Sequence, residues 1–121
     1  MHKFKRLIFI GGLAVFSFSS CTHKSDLTNV RTVSFKSDVL PVFETNCKMC
    51  HGNTGRSDGD KNYTSYDGIM KDIKAGNANK SKIYSVITST ISRMPPTSHN
   101  ALNQDQRSLI YVWIEQGAQN N

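Results

Sequence analysis

The sequence predicts an all-α domain, and three observations carry that prediction. From residue 33 onward, apolar residues recur at three- and four-residue steps rather than at alternating positions. Helix-start and helix-stop residues bracket these periods, with Asn103 before one and Gly76 and Gly117 after others. Two β-branched runs, Ile83 to Ile91 and Leu109 to Ile114, keep the helical step and so also read as helices.

The first 20 residues stand apart from that domain. His2 to Arg6 is a short basic stretch, and Leu7 to Phe18 is an apolar run interrupted only by Gly11, Gly12 and Ser17. About a dozen residues are too few for an ordinary spanning helix, which needs roughly 20, so the pattern is that of a secretory signal. Ser19-Ser20-Cys21 then places two small residues before a cysteine. This resembles a bacterial lipoprotein signal, in which the cysteine is acylated and becomes the new N-terminus. The alternative is ordinary secretory cleavage, with Cys21 as an incidental thiol. Cys21 has no disulfide mate if Cys47 and Cys50 are engaged elsewhere, which favours acylation. Residues 1–20 are expected to be a lipoprotein signal peptide, 21–32 a polar tether and 33–121 one domain.

The charge balance has to be recounted after processing. The chain carries 15 Lys+Arg against 9 Asp+Glu, a net +6, but removing Lys3, Lys5 and Arg6 leaves 12 against 9. The remaining basic residues are scattered, with no stripe of the kind that binds nucleic acid. A domain of this size is marginal for a self-sufficient core, and a large apolar cofactor would supply the missing part.

Within the domain the elements follow in order. A first helix is expected from Ser34 or Ser37 to Cys47, with Phe35, Val39, Val42 and Phe43 near helical spacing. Pro41 either sits in its first turn or kinks a longer helix. Gly52 to Asn62 reads as a loop, Ser65 to Ala75 as a second helix stopped by Gly76. Asn79 is expected to cap a third helix bearing Ile83, Val86 and Ile87. Arg93 to Asn100 is a loop with two prolines. Asn103 caps the last helix, whose stripe of Leu109, Ile110, Trp113 and Ile114 ends at Gly117.

Cys47-Lys48-Met49-Cys50-His51 is a C-x-x-C-H run, the attachment pattern for c-type haem. Two thiols at this spacing add to the two vinyl groups on one side of a porphyrin and hold the adjacent imidazole under the iron. The second ring nitrogen of His51 is then expected to donate to a backbone carbonyl. A redox dithiol would need a thioredoxin-like βαβ context, and a zinc site a second ligand pair; neither is present. For the sixth position the candidates are Met70, Met94 and His99. Met70, beside Ile69 and Ile73, reads as core packing. Met94 precedes Pro95-Pro96, which stiffen the loop that would present its thioether, and is the expected ligand. Met49 lies on the proximal side.

These residues carry a resemblance. Phe35, Asp38-Val39, Pro41-Val42-Phe43, Asn46-Cys47, Cys50-His51-Gly52, Ser81, Ile83-Tyr84, Ile87, Met94-Pro95-Pro96, Leu102, Trp113-Ile114 and Gly117-Ala118 stand in an order similar to that of small class I cytochrome c domains. Such domains are common in exported proteins of Bacteroidetes and Planctomycetes. The resemblance implies a compact cytochrome c fold of about four helices around one covalent haem c, with the first and last helices crossing. It implies thioethers at Cys47 and Cys50 and axial ligands at His51 and Met94. The function so implied is single-electron transfer by a monomer that meets its redox donor and acceptor transiently. With Cys21 acylated, the carrier would hang from a membrane of the bacterial envelope, facing the periplasm or the outer surface.

Two rival functions follow from the same residues: a haem enzyme or gas-binding module with a labile sixth ligand, or a fixed haem subunit of a larger redox complex. No paired carboxylates and no Ser/His/Asp set argue for an enzyme. Asp58-Gly59-Asp60 imitates the start of a calcium loop but lacks the glycine and glutamate such a loop requires further on. Arg93 is a candidate for pairing with a haem propionate or for plain exposure. Trp113 reads as packing at the helix crossing.

Overall fold

The computed structural model describes residues 27, 29–53 and 61–121; the signal, Cys21 and the calcium-like stretch lie outside them. Five α-helices and no strand occur among the described residues: α1 (Leu40–Asn46), α2 (Lys48–His51), α3 (Tyr66–Met70), α4 (Lys82–Thr88) and α5 (Gln104–Glu115). The all-helical reading is borne out.

The first helix solves the proline problem in two steps. Phe35–Val39 forms a π-helical turn capped by Ser34, whose Oγ accepts from the Ser37 N–H, and the Leu40 N–H donates to the Phe35 carbonyl. Pro41 then falls in the first turn of α1, where its missing N–H costs nothing. Arg31 grips Asp38 with both Nη atoms, at 2.8 and 3.1 Å, and the Ser34 N–H donates to the same carboxylate at 2.8 Å. Those partners hold the Asp38 carboxyl below its ordinary range, the Arg31 hydrogen bond first and the Ser34 bond second.

The segment before α1 and the segment after α5 close on each other. Phe35 meets Tyr66 edge-on at 5.1 Å and Trp113 at 5.5 Å, and Trp113 is wholly buried. Polar ends of these rings are satisfied: Trp113 Nε1 donates to the Gln119 carbonyl and the Tyr66 hydroxyl to that of Ala118. Asn121 accepts from the Phe35 and Lys36 backbone N–H groups, and Gln116 bridges Arg31 and Val33. The first and last helical segments thus pack together, as expected.

The last helix matches its expectation. Asn103 accepts from the Gln106 N–H while the Gln106 side chain accepts from the Asn103 N–H, a full capping box. Ile110, Trp113 and Ile114 face the core, and the chain leaves through Gly117 at φ +100°.

Three boundaries differ from the sequence reading. The run from Ile83 to Ile91 is helical only to Thr88, because the Ser89 Oγ accepts from the Ile91 and Ser92 N–H groups and turns the chain out of α4. The second helix stops at Met70 instead of Ala75, because Asp72 and Ile73 bond carbonyls three residues back. The Gly76 N–H then donates to the Ile114 carbonyl, which turns the chain onto α5. Asn79 caps nothing. Asn77 caps a short 3₁₀ turn (Ala78–Lys80), and Ser81 occupies the N-cap position of α4. Ser81 is 1 % exposed; its Oγ accepts from the Lys74 N–H and donates to the Asn77 carbonyl, spending its oxygen on the turn. Gly68 is required in α3, since a Cβ there would lie 1.8 Å from the Asn62 carbonyl oxygen.

Candidate functional site

α1 delivers Cys47, whose N–H donates to the Phe43 carbonyl at 2.8 Å. One further turn, α2, brings Cys50 and His51 around, with both N–H groups bonded to the Cys47 carbonyl. Both thiols are unpaired and partly buried. Burial, then the neighbouring Cys50, pushes the Cys47 thiol up to about 12.

Across from this turn lies the loop that joins α4 to α5. The Met94 N–H donates to the Val86 carbonyl at 2.9 Å and fixes the loop on α4. Arg93 Nη2 donates to the Pro96 and His99 carbonyls, at 3.4 and 3.3 Å, and so ties the loop across its own turn. Its Nε is buried without a hydrogen-bond partner, and Arg93 is absent from the lining of the cleft described next.

Between the two segments opens an apolar cleft, partly open to solvent and concave in the way cofactor sites are. Cys47, Cys50 and His51 line one part, Met94, Pro95 and Pro96 another, and Phe43, Ile83, Val86 and Ile87 form apolar wall. Met94 is 41 % exposed. His99 also lines the cleft, so the structure brings both distal candidates to it. Met70 is packed against the core and has no place in the cleft, as its core reading requires.

The proximal side departs from expectation in one respect. His51 Nδ1 is buried and has no hydrogen-bond partner, so no backbone carbonyl orients the ring. Tyr63 stands there instead, its ring 5.0 Å from the imidazole and its N–H bonded to the His51 carbonyl at 2.7 Å. Spacing gave no sign of this contact, since it depends on how the loop after the motif returns. An imidazole with unused polar capacity, two thiols one turn apart and a thioether on one apolar cleft together fit a covalently held haem. Among the described residues no cluster of three or more His, Cys, Asp or Glu offers a metal-ion site of another kind.

The protein-family model described as "Cytochrome C oxidase, cbb3-type, subunit III" matches residues 38–114. The comparison with curated proteins gave no match, and neither did the comparison with solved structures.

Proposed function

The chain belongs to the family described as cytochrome c oxidase, cbb3-type, subunit III, and from that premise we propose that it is a lipid-anchored, monohaem carrier of single electrons. As a c-type cytochrome domain it binds covalent haem c, and haem-based electron transfer is its activity. Bound haem supplies a one-electron iron couple; the chain's residues do the rest. Cys47 and Cys50 would hold the macrocycle through thioethers, and His51 and Met94 would supply the side chains that bind its iron. Phe43, Ile83, Val86 and Ile87 exclude water from the iron's surroundings, and Pro95 and Pro96 limit movement of the thioether. Ligation by His51 and Met94 would suit a carrier, since it would leave the iron no open site for a substrate.

The observation that carries this reading is the cleft itself, on which both cysteines, His51 and Met94 converge. Cys21 would be the acylated residue that anchors the domain to a membrane of the bacterial envelope, through the tether 21–32. No helix among the described residues is long and apolar enough to cross a membrane. An intact mass spectrum of the mature protein tests both assignments together. One haem and acyl groups on a chain beginning at Cys21 are expected; an unmodified thiol at Cys21 removes the anchor, and a haem-free chain removes the carrier. The family's description names an oxidase subunit, which favours a second reading as a fixed subunit of a larger complex. A stoichiometric partner that survives detergent extraction and high salt would select it over the transient docking of a free monomeric carrier.

A further inference from the structure

The proximal side holds a string of polar groups that ligation does not use. Tyr63 is 8 % exposed, wedged between the His51 imidazole and Phe43, which it meets edge-on at 6.1 Å. Its hydroxyl donates to Asp72 Oδ2 at 2.5 Å, and Lys61 Nζ donates to the same oxygen, also at 2.5 Å. Burial and the anionic acceptor push the phenol well above its ordinary range, so it remains a neutral donor. Hydrogen bonds from Lys61 and Tyr63 outweigh burial and hold the Asp72 carboxyl below its ordinary range. Carboxylate, phenol and imidazole therefore touch in sequence; Lys61, hydrogen-bonded to the anion, and Lys82, near enough to act on it, counter its charge.

Charge gives that string a consequence. A phenol donating to a carboxylate is polarised toward the carboxylate, and the ring beside His51 becomes more electron-rich. Oxidising the haem adds one positive charge, part of which the axial imidazole shares. Negative surroundings favour that state and lower the potential, while Lys61 opposes them. We propose that Tyr63 is a positioning residue for His51, and that the Lys61–Asp72 pair acts through it to set the reduction potential. The proposal rests on the His51 ligation put forward above.

Spectroelectrochemical titration of the full-length haem-loaded protein tests it with three variants. Tyr63→Phe keeps the ring and loses the hydroxyl, Asp72→Asn loses the anion, and Lys61→Met loses the cation. The first two should raise the potential and the third should lower it. Each shift should be on the order of threefold in the oxidised-to-reduced ratio at fixed applied potential, about 28 mV for one electron. A purely structural role would lower melting temperatures without giving opposite signs. Lys61 is 41 % exposed at its side chain, so its variant reports even if the buried changes impair folding. Potentials that stay put, or all move one way, while His51 still ligates the haem would overturn this proposal alone. A wild-type spectrum lacking a His-ligated haem would overturn it together with the ligation reading.

Discussion

Around Trp113 the domain is closed by its own side chains, whereas around His51 it is open. In the first region Phe35, Tyr66 and Trp113 fill the space between the segment before α1 and α5, and the Tyr66 hydroxyl and Trp113 N–H each have a carbonyl to bond. In the second, apolar walls from α1, α4 and the 93–99 loop face one another across a gap. Met49 and Met94 stand 68 % and 41 % exposed at its rim, and a buried imidazole nitrogen has no partner. The contrast teaches that protein side chains alone complete the core around Trp113, whereas the walls around His51 are shaped to take the covalent haem that this family binds.

Removing the cofactor should break that division most visibly. A Cys47→Ser/Cys50→Ser double variant cannot form either thioether. Amide hydrogen exchange should then show α5 and the segment around Phe35 still protected, with α2, α4 and the 93–99 loop exposed. Uniform loss of protection would mean that the Trp113 region does not stand by itself.

Trp113→Ala attacks the closed half instead. Truncating a fully buried tryptophan costs about 3–5 kcal/mol, a large part of a small domain's 5–15 kcal/mol. A denaturant melt of the haem-loaded protein should show that loss, while the haem's axial ligands, read from its spectrum, stay unchanged. A changed ligand spectrum would show that the two halves are coupled.

The smallest effect belongs to the Arg31–Asp38 pair at the edge of the closed half, where solvent screens much of the attraction. The carboxyl is held below its ordinary range in the folded state. Its contribution is therefore present above the unfolded pKa, roughly 4, and is lost as pH falls through the lower folded value. Asp38→Asn should lower the melting temperature slightly at neutral pH, and the gap to wild type should close in acid. A gap that stays constant with pH would assign the effect to packing.

The two halves also differed in how legible they were. Local signals marked the closed half well: Asn103 with Gln106 makes a cap from neighbouring residues, and the α5 stripe follows from period alone. Cys47 to His51 and Met94-Pro95-Pro96 were equally plain, being local patterns with chemical reasons for their spacing. Lys71 to Ala75 reads as helix because those residues favour it, yet Asp72 is turned out to meet Tyr63 and Lys61, a tertiary demand that propensity does not register. Asn79 looked like a cap, but Asn77 and Ser81 shared that work across a 3₁₀ turn, a distinction of two residues that composition does not resolve. Tyr63 was invisible as a neighbour of His51 because only the folded return of the chain makes them touch.

The ferric visible spectrum of the purified, haem-loaded protein tests the central claim most directly. A methionine–iron charge-transfer band is expected in wild type and in His99→Ala, and its loss is expected in Met94→Ala. Absence of the band in wild type, or ready binding of carbon monoxide by the reduced protein, would contradict a His51/Met94 electron carrier.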